Sequence, residues 1–156
     1  MSELIIGWKE WIALPALGIP AIKAKIDTGA RTSSLHAFAL TRFRRDGVEM
    51  VGFQIHPRQR SADDAIHVEA EVIDERWVRN SGGQRELRPV IETVIRIGED
   101  DWPIELTLTR RDEMGFRMLL GRQAVRHRFL VDPGQSFYAP RPKRKRKVAK
   151  SKRKSR

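Results

Sequence analysis

The sequence predicts an all-β domain of barrel-like class. Apolar and polar residues alternate with period two in one segment after another, and tight-turn residues fall between the segments. A single short stretch in the body, after Gly121, fits a helix better than a strand.

Taken in order, Ile22, Ala24 and Ile26 alternate with Lys23 and Lys25 and predict a half-buried strand that ends at Asp27. Runs 35–43 and 48–55 flank Arg45-Asp46-Gly47. Asp-Gly at that point predicts a tight hairpin, because both residues tolerate positive φ. Val68, Ala70 and Val72 predict a further strand. Ile91, Thr93, Ile95 and Ile97 predict another, joined through residues 98–101 to Ile104, Leu106 and Leu108. Between Val68 and Ile97 a hairpin is expected, with Asn80-Ser81-Gly82-Gly83 at its tip. The helix is predicted over residues 123–128.

Charge divides the chain. Residues 141–156 hold 11 of the 31 Lys and Arg and none of the 20 Asp and Glu, so residues 1–140 carry 20 bases against 20 acids. The basic run has too few aliphatics to offset its ordering entropy and is expected to be disordered. The domain expectation is therefore one folded unit at 1–140, a normal size for a single core, followed by a Lys/Arg-rich tail at 141–156. With no aromatic residue in 142–156, that tail offers RNA phosphate attraction without base reading.

Cysteine is absent, which removes disulfides, Cys-ligated zinc and a thiol nucleophile. The N-terminal residues lack the pattern of a secretory signal, and the apolar stretch 13–22 is broken by Pro15 and Pro20. A cytoplasmic protein without membrane contact is the expectation. His36, His56, His67 and His127 are scattered, with no H-E-x-x-H, so no metal ligands are assigned. No nucleophile elbow and no phosphate-binding glycine loop occur, and no cofactor is expected.

The segment that carries chemistry is Asp27-Thr28-Gly29-Ala30. A lone aspartate stands where a strand ends, Thr28 offers a hydroxyl that can bond back to the backbone, and Gly29 allows close backbone approach. Far downstream lies Met118-Leu119-Leu120-Gly121-Arg122. The pair resembles one subunit of a retropepsin-like aspartic protease, in which the aliphatic-aliphatic-Gly segment threads past the loop carrying the aspartate. The resemblance narrows to the bacterial RimB-like family, which is labelled an ATP-dependent zinc protease and associated with the ligase that adds glutamates to a ribosomal protein. It rests on residues 18–33, Arg88-Pro89-Val90-Ile91, Thr107-Leu108-Thr109-Arg110-Arg111 and 118–122.

Aspartic catalysis needs two carboxylates sharing one proton, and this chain has one D-T-G and no second copy. A two-fold homodimer that brings Asp27 against its own copy is the simplest completion. The resemblance implies Asp27, Thr28 and Gly29 as the catalytic segment, with Leu119, Leu120, Gly121 and Arg122 as interface or structural residues. Ala30 would line the cleft floor, and the tip with Ser81 and Gly82 would cover a substrate. Lys25, Arg31, Arg79 and Arg85 are the candidates to meet acidic groups. Cations beside the dyad favour ionised carboxylates and oppose proton sharing, so Lys25 and Arg31 fit an acidic substrate better than they fit the dyad. The partners implied are a glutamate-tailed ribosomal protein or the glutamate ligase. Two other classes stay open: a non-catalytic regulator of the ligase, and an RNA- or ribosome-associated factor acting through the tail.

Overall fold

The computed structural model describes residues 4–57, 65–79, 82–110 and 115–142. The described residues form strands β1 (Leu4–Gly7), β2 (Lys9–Leu14), β3 (Ile19–Asp27), β4 (Ser33–His36), β5 (Phe38–Arg45) and β6 (Val48–Ile55). Then come β7 (Ile66–Glu71), β8 (Asp74–Arg79), β9 (Arg85–Ile97), β10 (Asp100–Thr109), β11 (Met118–Gly121), helix α1 (Arg122–Val125) and β12 (Phe129–Asp132). A 3-10 turn, Pro15–Leu17, separates β2 from β3. The class is predominantly β, as predicted.

Strands β10, β4, β11, β3, β2 and β9 pair in that order, and β9 pairs back onto β10, so the hydrogen bonding closes into a ring. Strand β8 hangs from β9 as the second arm of a hairpin. Strands β5, β6 and β7 form a separate antiparallel sheet, and β1 pairs with β12 in parallel. The period-two pattern decides which faces turn inward. Ile22 and Ala24 of β3 are fully buried and Ile26 nearly so, while Lys23 and Lys25 between them are half-buried. One core joins the ring (Ile22, Leu35, Ile91, Leu106, Leu120) to β6 (Val51, Phe53, Ile55). Each large aliphatic so enclosed contributes about 1.5–3 kcal/mol.

The hairpin expected at Asp46-Gly47 forms with both residues at positive φ, 54° and 81°, and with Arg45 opposite Val48. Three expectations differ in detail. Run 35–43 is two strands, because Ala37 is buried against β10, with its N–H on the Thr109 carbonyl at 2.7 Å, and Ala39 turns at φ 55° into the second sheet. Val68 belongs to β7 in that second sheet, so the hairpin around the 80–83 tip is built from β8 and β9 alone. The helix starts one residue early and lasts one turn, since Arg126 is already extended and His127 sits at φ 68°.

The Lys/Arg-rich run from 143 onward and the tip residues Asn80 and Ser81 lie outside the described residues. Up to residue 142 the chain is strapped to the body. Glu10 is fully buried and its carboxylate accepts from the N–H groups of Gly7 at 2.7 Å, Tyr138 at 2.8 Å and Ala139 at 3.0 Å. Gly7 meets the strap so closely that a Cβ there would lie 2.3 Å from the Gln135 carbonyl oxygen.

Candidate active site

Asp27 is the last residue of β3, half-buried, and its Oδ1 accepts from the Gly29 N–H at 3.1 Å. The Ala30 N–H donates to the Asp27 carbonyl at 3.1 Å, which closes the turn. The carboxylate is thus oriented by the backbone that follows it, as D-T-G chemistry requires.

What holds that turn is β11. It inserts between β3 and β4, parallel to the first and antiparallel to the second, with Leu119 opposite Lys25, Leu120 opposite Ile26 and Gly121 opposite Asp27. The Gly121 N–H donates to Ser33 Oγ at 3.0 Å, and the Arg122 N–H donates to the Ala30 carbonyl at 2.7 Å. Arg122 Nη1 donates to the Thr28 carbonyl at 2.9 Å, and the Gln123 N–H reaches the Arg31 carbonyl at 3.1 Å. A Cβ on Gly121 would stand 2.5 Å from the Thr32 carbonyl carbon and oxygen, so glycine is required there by space and not by φ. Thr28 is exposed, and the contact it supplies runs through its carbonyl. Arg122, which the resemblance gave as an interface or structural residue, clamps the aspartate turn of its own chain.

Two residues of this lock carry no signal of their own in the sequence. Ser33 is 2% exposed and receives Gly121 N–H while its carbonyl accepts from Thr107 Oγ1 at 2.9 Å. Trp102 donates its Nε1 to the Ala124 carbonyl at 3.0 Å and so fixes α1 under the turn. Ser33 lies between Thr32 and Ser34 and Trp102 lies in an alternating strand, so nothing local marks the partners they find.

A cavity of about 640 Å³ opens beside the turn. Arg31, Thr32 and Ser33 form one wall, and Arg76, Trp77 and Val78 of β8 form the facing one. Glu92 and Glu105, directly opposite each other across β9 and β10, complete it together with Gln123. Arg31 is therefore brought to this cavity, whereas Lys25, Arg79, Arg85 and Asp27 itself are not among its lining. Arg79 and Arg85 face each other at the base of the β8–β9 tip, where Gly82 is exposed, and Arg85 lies 5.1 Å from the Trp77 ring centre. Lys25 pairs in register with Lys9. Arg76 donates to Glu105 at 2.6 Å, and that hydrogen bond is the first cause holding its guanidinium above the ordinary arginine range.

The strand-end carboxylate is thus pinned by a threaded Leu-Leu-Gly. The chain belongs to the RimB-like family of retropepsin-like aspartic endopeptidases, whose model it matches over residues 5–142. That family is of the aspartic type and not zinc-dependent. Among the described residues no group of three or more His, Cys, Asp or Glu is placed to hold a metal ion.

Two relatives carry the name "Probable alpha-L-glutamate ligase". One, from Shewanella pealeana, is 51% identical over 136 residues, 87% of this chain and 30% of that protein. The other, from Parasynechococcus marenigrum, is 52% identical over 131 residues, 84% of this chain and 28% of that protein. The chain thus spans less than a third of the length of these curated relatives. Among solved structures, the protein Lpg0085 of Legionella pneumophila, described as of unknown function, superimposes with a TM-score of 0.72 at 28% identity. The match covers 88% of this chain and 98% of that one. No described helix is long and apolar enough to cross a membrane.

Proposed function

We propose that this chain is one protomer of a homodimeric aspartic hydrolase that cuts glutamate extensions on a ribosomal protein, opposing the ligase that adds them. The observation that carries the proposal is Asp27 in register with Gly121, its turn clamped from behind by Arg122 and Ser33. In the dimer, one Asp27 takes a proton from water as the oxygen adds to the scissile carbonyl carbon. The other, protonated, hydrogen-bonds the carbonyl oxygen, and the first then returns the proton it took from water to the departing amine. Thr28 and Gly29 keep the two carboxylates oriented.

Self-association has an available surface in β1 and β12, a two-stranded sheet that shows Leu4 (54% exposed), Ile5 (47%) and Leu130 (53%) to solvent. An acidic substrate is favoured by Arg31, which makes no ion pair among the described residues, and by the cations at the hairpin base, Arg79 and Arg85, with Lys25 on β3. The working arrangement is a cytoplasmic domain at 1–140 with a basic extension at 141–156. The identity to segments of glutamate ligases supports a shared pathway with ligation.

The test is incubation of the purified protein with a glutamate-tailed ribosomal protein, with and without EDTA, read by substrate mass. Stepwise loss of glutamate mass that persists in EDTA is expected. Unchanged mass, or loss abolished by EDTA and restored by metal, would overturn the reading.

A further inference from the structure

Some of the described arginines are neutralised: Arg42 pairs with Glu49 and Glu75, Arg45 with Glu69, Arg76 with Asp74 and Glu105, and Arg96 with Asp101. One face instead sets its cations against aromatic rings. Lys23 stands 5.4 Å from the ring centre of Phe116, and Phe116 meets Trp8 edge to face at 6.1 Å. Lys9 lies over both Trp8, at 4.8 Å, and Phe137, at 5.2 Å. Phe137 stacks on Trp11, and Arg141 covers Trp11 at 4.0 Å. None of these three cations pairs with a carboxylate among the described residues.

The row is therefore a continuous alternation of cations and rings, and it ends at the residue from which the Lys/Arg-rich run departs. Its two ends are fixed independently. Lys23 and Trp11 face each other in the β2–β3 register, and the strap that carries Phe137 and Arg141 is tied down by Glu10 and by the Phe137 N–H on the Lys9 carbonyl at 3.0 Å. Trp8 (36% exposed), Phe137 (38%) and Tyr138 (46%) keep part of their ring surface open to solvent.

Charge alone in 141–156 attracts phosphates without reading bases. The folded body adds the missing half. We propose that this row is a docking face for single-stranded RNA. Cations resting on ring faces keep their full charge for phosphates, and the rings beside them accept stacked bases. An oligoglutamate would use the same cations but gains nothing from the partly open rings of Trp8 and Phe137, which is why RNA is the better fit. The assignment does not depend on the peptidase reading.

The test uses the full chain with a short labelled oligouridylate, and an oligoglutamate of equal length as the competing polyanion. Oligouridylate should quench the intrinsic tryptophan fluorescence, since Trp8 and Trp11 are two of the four tryptophans, and oligoglutamate should not. The triple variant Lys9→Gln, Lys23→Gln, Arg141→Gln should reduce the log–log salt slope by roughly 2, three contacts at about 0.7 each. The double variant Trp11→Leu, Phe137→Leu should weaken RNA binding about ten-fold with the slope unchanged. Folded variants with unaltered slope and affinity, or oligoglutamate binding as tightly as RNA, would overturn the proposal. If the variants lose their circular-dichroism signature the wild-type quenching decides, and saturable RNA binding without quenching would count against it.

Discussion

At the scale of single residues, the candidate site depends on two positions with no side-chain chemistry to offer substrate. Gly121 has the Thr32 backbone where a Cβ would go, so Gly121→Ala forces β11 away from the aspartate turn. A loss of about 1–3 kcal/mol is expected, the usual cost of overpacking a tight contact, measured by denaturant unfolding. Ser33→Ala leaves the Gly121 N–H buried without its acceptor and is expected to cost about 1–3 kcal/mol as well. Ser33→Thr, which keeps a hydroxyl, is the control for lost hydrogen bonding against lost volume. Asp27→Asn is of another kind. Asn is isosteric and can still accept from Gly29, so stability and substrate affinity should hold while hydrolysis disappears. Undiminished turnover by that variant would remove the aspartic mechanism.

At the scale of elements, an acid-sensitive contact ties the strap to β12. Asp132 is held below the ordinary carboxylate range, first by the Tyr138 hydroxyl at 2.6 Å and then by the Gly134 N–H at 2.8 Å. Because the folded-state pKa is the lower one, this contribution is fully present above the unfolded value. It is lost as pH falls through the folded value. Tyr138→Phe should therefore lower stability at neutral pH and flatten the acid limb of a stability-against-pH curve, the variant and the wild type converging below the ordinary aspartate range. An unaltered acid limb would show that the Asp132–Tyr138 contact does not couple to folding. The same hydroxyl bond pushes the Tyr138 phenol up, so its ultraviolet titration should fall back toward the ordinary tyrosine range in Asp132→Asn.

At the scale of the whole molecule, one chain supplies one D-T-G aspartate, and catalysis by a proton-sharing pair of such aspartates then requires two chains. Specific activity should fall on dilution, following the dimer population measured by sedimentation at the same concentrations. Leu130→Lys, on the exposed face of β12, should shift that dependence to higher concentration without unfolding the protomer. Constant specific activity in a sample that sediments as monomer throughout would sink the shared-dyad model and direct attention to Glu92 and Glu105 in the cavity.

Period-two alternation and Asp-Gly turns were sufficient to determine the β class, the β3 strand before Asp27 and the hairpin at Asp46-Gly47, because each depends on neighbours a few residues apart. The D-T-G and Leu-Leu-Gly-Arg segments were legible for the same reason, as compact motifs. Their meeting was decided by tertiary structure. The register that sets Gly121 against Asp27 joins residues far apart in the chain, and no local pattern encodes it. The split of run 35–43 was likewise invisible, since Ala37-Phe38-Ala39-Leu40 is an unbroken apolar stretch with no turn residue where the strand changes sheets. Ser33, Trp102 and the row from Lys23 to Arg141 emerged only when β2, β3 and the strap were brought together. Side chains on separate strands acquire their partners from the fold and not from their own sequence.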